Sequence, residues 1–230
     1  FLLNRRVVEE GTEGKRIIAV AKKDIAYSAS TDLVHEEKGM EFLGLISFSD
    51  PLKKTAKEAI QKAEMLGLKI KILTGDSPEV AGAVAKKIGL IATSSKVLLG
   101  EAFEKMSFRK QHESVERYVV FSRVSPQQKY KIIQLLQEKY SVGFLGEGIN
   151  DAPALKIADV GMAVDGASDI ARESADIILM KKSLNVIVDG IREGREVFAN
   201  TLKYIKATLA SNFGNFYAVA IASLMIDFLP

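Results

Sequence analysis

Three stretches of this chain share one plan: an apolar run of strand length, a polar turn, then a segment with helical periodicity. They are "LKIKILTGDSPEVAGAVAKKIGL" (68–90), "RYVVFSRVSPQQKYKIIQLLQEK" (117–139) and "SVGFLGEGINDAPAL" (141–155). Strands separated by helices cannot close into tight hairpins. They pair in parallel, and a parallel sheet is covered on both faces. The expected fold class is therefore α/β, a Rossmann-like parallel sheet with helices on both faces. Local signals agree with this. Gly89 closes the first helix, and Ser125 with Gln128 forms a capping box behind Pro126. Pro153 starts or shapes another helix, and 158–164 reads as a further strand. In such a sheet, functional groups gather at the carboxyl ends of the strands.

The flanks read differently. Apolar alternation over 16–21, with turn signals at Gly11 and Gly14, suggests the last strands of a domain whose beginning is missing. "FLGLISF" from Phe42 reads as a strand, and Asp50-Pro51 as the cap and start of a helix running to about Leu66. A long amphipathic helix from about Leu184 leads into "ATLASNFGNFYAVAIASLMI" (207–226), 20 positions without a charge. As a helix that stretch rises about 30 Å, which predicts a membrane span, the alternative being a buried core helix. Arg192, Arg195, Lys203 and Lys206 precede it and would keep the preceding domain cytoplasmic. Phe1 at the start and an apolar run at the end read as a chain cut from a longer one.

Composition excludes several function classes. The balance of 32 basic and 29 acidic residues leaves only +3, which implies no nucleic-acid partner. Without cysteine there is no disulfide and no thiolate metal site. The two histidines, His35 and His112, are not at zinc-ligand spacing.

The strand ends carry a particular chemistry. Thr74-Gly75-Asp76 offers a hydroxyl and backbone amides to phosphoryl oxygens, Lys129 offers neutralising charge, and Glu147 with Asn150-Asp151 offers hard oxygen ligands for Mg²⁺. That set suits phosphoryl transfer but lacks a nucleophile. An Asp at the end of a further strand is expected, and no stretch fits. Asp50 reads better as a helix start, and Asp76 sits in what resembles a phosphate-binding turn. Taken singly, Thr74-Gly75-Asp76 is an ordinary turn, Lys129 a solvated lysine, and Arg16 and Arg123 surface charges.

Together "TGD", "SRVSPQQK" and "GEGINDAPAL" resemble three ordered signatures of the P-type ATPases, cation pumps whose phosphorylation domain has the haloacid dehalogenase fold. The resemblance runs from about Lys15 to the end. It implies that Thr74 and Gly75 contact the phosphoryl group with Asp76 beside it, and that Lys129 stabilises its charge. Asn150 would support the site, with Glu147 and Asp151 at the Mg²⁺. Arg16 and Arg123 match positions that contact nucleotide, and Asp50 resembles the hinge between nucleotide and phosphorylation domains. The implied division is a nucleotide-domain remnant (1–40), a phosphorylation domain (41–183), and a stalk with a transmembrane helix (184–230).

Two departures stand out. Glu147 replaces the family's Asp, adding a methylene to a matched Mg²⁺ ligand. The family's Asp-Lys-Thr-Gly-Thr phosphorylation loop, its actuator domain, the earlier membrane helices and most of the nucleotide domain are absent from this sequence. The last segment resembles the fifth membrane helix, where Asn212 and Asn215 share a face as an ion path or as glue between helices. "SNFGN" is similar to the magnesium-transporting branch. The expected function is thus part of a multi-pass cell-membrane pump that hydrolyses ATP through an aspartyl phosphate. Its partners would be ATP, a transported cation (Mg²⁺ favoured), the lipid bilayer and the rest of the pump chain. A soluble phosphatase of the same superfamily, or a non-catalytic module that binds Mg²⁺ or nucleotide or regulates a pump, are the alternatives.

Overall fold

Residues 2–24, 38–49, 51–53, 55–93, 96–181 and 183–226 are described by the computed structural model, and Asp50 lies outside them. The chain divides into two compact units, Phe1–Ser183 and Leu184–Pro230.

The first unit opens with α1 (Leu2–Thr12), β1 (Lys15–Lys22) and β2 (Glu41–Ser49). β1 and β2 form an antiparallel ribbon running from Lys15 opposite Ser49 to Lys22 opposite Glu41, with a bulge between Val20 and Ala21. The "FLGLISF" strand therefore lies outside the parallel sheets, and its pairing with β1 spans the expected division at 40/41. A strand's pattern encodes its faces but not its partner, so periodicity had no means of showing this. The helix α1 was also not anticipated; it packs against β1 and the helix after the Thr74 turn.

α2 (Ala56–Met65) begins later than the Asp50-Pro51 reading expected. Its buried residues are Ala59, Ile60 and Ala63, so only this part of the segment has a face to bury. Helix stability in a protein comes mostly from such a face, and Pro51 to Lys53, all exposed, have none.

Next come β3 (Ile72–Leu73), α3 (Pro78–Lys87), β4 (Val97–Leu99), α4 (Gly100–Glu104), α5 (Phe108–Arg117), β5 (Val120–Ser122) and α6 (Pro126–Gln137). They are followed by β6 (Gly143–Gly146), a 3₁₀ turn (Ile149–Asp151), α7 (Ala152–Ile157), β7 (Val160–Val164), α8 (Asp169–Glu173) and β8 (Ile177–Leu179). The strands pair in parallel as expected, but in two sheets, ordered β3-β5-β4 and β6-β7-β8. A single continuous sheet is thus not what forms among the described residues. Alternation of strands and helices dictates parallel pairing without fixing how many ladders result, and here β3 and β6 are both edge strands.

Side chains tie the two sheets together. α6 packs on α7. The Gln137 amide at the end of α6 donates to Ile157 O (2.8 Å) and to Asp159 Oδ1 (3.0 Å). Asp159 Oδ2 accepts the Val142 amide at 2.7 Å, fixing the entry to β6. The main core lies beneath β5: Phe121 and Ile132 are fully buried with Leu98, Phe103, Val115, Val124, Leu135 and Leu136. Phe103 meets Phe121 edge-to-face with centroids 6.2 Å apart, a geometry the ring quadrupoles favour.

The second unit is one helix, α9 (Leu184–Met225), of 42 residues. Here the sequence reading needs correction. Among the described residues no helix is long and apolar enough to cross a membrane, so the span expected over 207–226 is not supported. Length is ample; hydropathy is what fails. Ser211, Asn212, Gly214, Asn215 and Tyr217 interrupt the apolar run, and freedom from charge does not make a segment apolar.

Two outcomes follow from the packing. Phe121→Ala should cost about 3–5 kcal/mol, because it empties a fully buried site beneath the strand that carries the Thr74 contacts; urea unfolding reads this directly. Hydrogen bonds from the Val142 amide and the Gln137 side chain hold the Asp159 carboxyl below the usual aspartate range. Its stabilising contribution is therefore complete above the unfolded value of about 3.9 and is lost as pH falls through the lower folded value. Thermal midpoints measured from about pH 5 down to pH 2.5 should fall less steeply in Asp159→Asn than in the parent.

Candidate functional site

β3 delivers the first turn. The Thr74 amide donates to Phe121 O at 3.0 Å, seating the residue beside β5. The Thr74 hydroxyl donates to Asp76 Oδ2 (2.9 Å) and accepts the Asp76 amide (3.1 Å), so the turn is closed by its own side chains. Ser77 then caps α3 by accepting the Val80 amide, with Pro78 in the first turn. Asp76 Oδ1 pairs with Arg16 Nη2 of β1 at 2.7 Å.

β5 delivers the second turn and locks it to the first. Arg123 has φ +48°, the left-handed region that non-glycine residues seldom occupy. In that conformation the Arg123 amide donates to Asp76 O and the Val124 amide to Thr74 O, both at 3.1 Å. Close packing reinforces the bend, since a Cβ on Gly100 would come within 2.6 Å of Arg123 O. The predicted capping box follows: the Gln128 amide donates to Ser125 Oγ (3.2 Å) and the Ser125 amide to Gln128 Oε1 (3.0 Å). That cap fixes the first turn of α6, and with it Lys129.

Lys129 Nζ reaches Asp151 Oδ1 at 2.6 Å, with the two side chains only 12% and 15% exposed. Asp151 Oδ2 accepts the amides of Glu147 (3.2 Å) and Gly148 (3.1 Å). Burial pushes the Asp151 carboxyl up, but Lys129 and the Gly148 and Glu147 amides outweigh it and hold the group below the ordinary aspartate range. The glycine at the end of β6 is needed for space rather than for its dihedral freedom. A Cβ on Gly146 would lie 2.6 Å from Asp151 Cβ, closer than any side chain tolerates.

The donor set can be tested against Mg²⁺. Among the described residues no group of three or more His, Cys, Asp or Glu converges as a metal cage. Mg²⁺ commonly takes only one or two carboxylates, completing its shell with water and substrate phosphates. Glu147, exposed, and Asp151 fit that habit. An ionised carboxylate has about four acceptor positions, and three contacts leave Asp151 one of them, on Oδ1.

The structure thus brings Thr74, Gly75, Asp76, Arg16 and Arg123 together around one turn, and Lys129, Glu147, Asn150 and Asp151 around another, joined through the Ser125 cap. Asp50 falls outside the described residues. Asn212 and Asn215 stand exposed on α9 in the other unit. Sequence reasoning missed the pairing of Arg16 with Asp76, for which a residue 60 positions away offers no local signal. It also missed the backbone amides of Arg123 and Val124, since nothing in "SRVSP" marks a left-handed arginine.

Comparison with known proteins shows the family. The profile of the haloacid dehalogenase-like hydrolases matches residues 7–159, more than half of the chain. The chain is 45% identical over 219 residues to magnesium-transporting ATPase, P-type 1, of Escherichia coli K12, covering 95% of this chain and 24% of that protein. It is 41% identical over 232 residues to the protein of the same name from Salmonella typhimurium LT2, covering 100% of this chain and 25% of that protein. A calcium-transporting ATPase of Bacillus subtilis 168 is 35% identical over 222 residues, covering 95% and 25%. The chain spans about a quarter of the length of these relatives. With the ordered turns, the parallel strands beneath them and the profile in accord, the chain belongs to the haloacid dehalogenase-like hydrolases, and it matches that quarter of the magnesium-transporting P-type ATPases.

Proposed function

We propose that this chain is the phosphorylation-domain portion of a P-type ATPase that transports a cation, with Mg²⁺ the favoured cargo. The observation that carries the reading is the convergence of Lys129 on Asp151 beside the Glu147 turn, with the Thr74 turn locked to the same helix cap. In this reading the γ-phosphoryl group of ATP passes to an aspartate, ADP leaves, and water later hydrolyses the acyl phosphate. Thr74 and the Gly75 backbone bind phosphoryl oxygens, and Lys129 balances their charge. Glu147 and Asp151, with Asn150 supporting them, would hold Mg²⁺, which when bound neutralises phosphoryl charge. Arg123, and on family analogy Arg16, lie toward the nucleotide. Residues 1–40 belong to the nucleotide side, and Asp50 to the hinge.

The nucleophile lies elsewhere in the natural protein. Asp76 is engaged by Arg16 and Thr74, and Asp151 by Lys129 and two amides, so neither carboxylate is free to attack. β3 and β6 both end at the site and are both edge strands. Edge strands present unpaired backbone groups, a suitable place for a further strand that ends in the reacting aspartate. The membrane location of the natural protein, and a cytoplasmic position for this domain, rest on the relatives' identity as transporters and on the need for ATP.

The full-length natural protein, incubated with γ-labelled ATP and Mg²⁺, should acquire acid-stable, hydroxylamine-sensitive label, and the 230-residue chain alone should acquire none. Lys129→Ala should lower the phosphorylation rate by about 10²–10³, the usual cost of removing one charge-stabilising donor. Release of phosphate from p-nitrophenyl phosphate by the isolated chain would instead favour a self-contained phosphatase. Glu147→Asp should change the Mg²⁺ concentration for half-maximal phosphorylation by several-fold, roughly the effect of one altered ligand contact. An unchanged value would remove Glu147 from the metal's ligands.

A further inference from the structure

Main-chain contacts hold Glu147 from two directions. Its amide donates to Asp151 Oδ2 at 3.2 Å, and its carbonyl accepts the Ser168 amide at 2.9 Å. The Glu147 residue is exposed, so packing does not place its carboxylate. What places it is the main chain from which it grows. This matters for Glu147 in particular, since it is one methylene longer than the aspartate of the resembled signature and Mg²⁺ demands near-ideal octahedral geometry.

Ser168 belongs to a frame built by the crossover from β7 to β8. It caps α8, its Oγ accepting the Ala171 amide at 3.3 Å, and Ala171 is fully buried. The Asp165 amide donates to Leu179 O at 3.0 Å, tying the start of the turn to β8. Asp176 closes the crossover: its carboxylate accepts the Gly161 amide at 2.7 Å, and its own amide donates to Gly161 O at 2.8 Å. Each of these bonds joins two parts of residues 160–179, so the crossover holds its own shape and presents the Ser168 amide at a set position. An amide on such a frame fixes the Glu147 carbonyl as outer-shell partners orient the ligands of a metal.

We propose that Ser168 is a positioning residue: its amide braces the Glu147 main chain and thereby sets where the Glu147 carboxylate can meet Mg²⁺. This rests on the proposed phosphoryl-transfer function and deepens it, adding the turn between β7 and α8 to the site. The Ser168 hydroxyl serves the helix and the Ser168 amide serves the site, so substitution can separate the two.

The test uses the full-length natural protein with γ-labelled ATP and Mg²⁺. Ser168→Ala removes the cap and keeps the amide. Ser168→Pro removes both, and the Ser168 φ of −59° already suits proline. An ester in place of the peptide bond between Ala167 and Ser168 removes the donor alone, and it carries the test should the proline form fail to fold. Loss of the donor should raise the Mg²⁺ concentration for half-maximal phosphorylation about tenfold, the lower end of the cost of losing an outer-shell partner. Ser168→Ala should stay within about twofold on that scale, as should the KM for ATP at saturating Mg²⁺ in every form. Amide hydrogen exchange, followed without metal or nucleotide, should quicken in peptides covering 143–151 and keep the parent's rate in β5. A Mg²⁺ requirement within about twofold of the parent in the ester form overturns the positioning role. So does exchange that quickens across the whole domain with the KM for ATP rising alongside, the mark of a merely structural bond. A parent protein that takes no label from ATP would sink the phosphoryl-transfer reading instead, while the exchange pattern would still report whether Ser168 holds the Glu147 turn.

Discussion

The ion pair between Lys129 and Asp151 is the contact on which the arrangement of the site depends. It joins α6, which follows the strand at the centre of one parallel sheet, to the 3₁₀ turn that follows the edge of the other. With both side chains largely buried, the pair carries a desolvation cost that only good geometry offsets. Asp151 meets that requirement: one oxygen faces the ammonium and the other takes two backbone amides. Several distant features serve this contact. The Ser125–Gln128 box aims the first turn of α6, the left-handed Arg123 brings that cap against the Thr74 turn, and Gly146 yields the space that Asp151 Cβ occupies.

The same economy governs the acids. Both aspartates of the two turns have partners, Asp76 in Arg16 and Thr74, and Asp151 in Lys129. The two aspartates so engaged are held in place, while Glu147 stands exposed beside them. The chain matches about a quarter of the length of its transporter relatives. The pairing also locates flexibility: the Arg16 contact is the exposed one and can rearrange at little cost, whereas the Lys129 contact cannot.

Legibility followed the range of the interaction. The capping box at Ser125 and the parallel pairing of strands followed by helices were readable, since caps and periodicity act over a few residues. The need for glycine at 146 was not readable, because it comes from the close approach of Asp151 Cβ rather than from a turn. The start of α2 was misplaced because Asp50-Pro51 has the chemistry of a helix start, while the face that stabilises the helix begins only at Ala56. The expected span over 207–226 is not supported among the described residues, because two asparagines and a tyrosine lower the hydropathy of a stretch that is free of charge.

What the sequence by itself determined is the set of local devices and their order: strand, polar turn and capped helix, with a hydroxyl, a lysine and paired acids at successive strand ends. Those depend on neighbours along the chain, and their chemistry names the class of ligand. Only the tertiary structure decided which partner each charge takes, that β2 turns back on β1, and that the parallel strands form two ladders with β3 and β6 at their edges. The reason is that pairing across tens of residues is chosen by competition among all available partners in three dimensions, and no local pattern records the outcome of that competition.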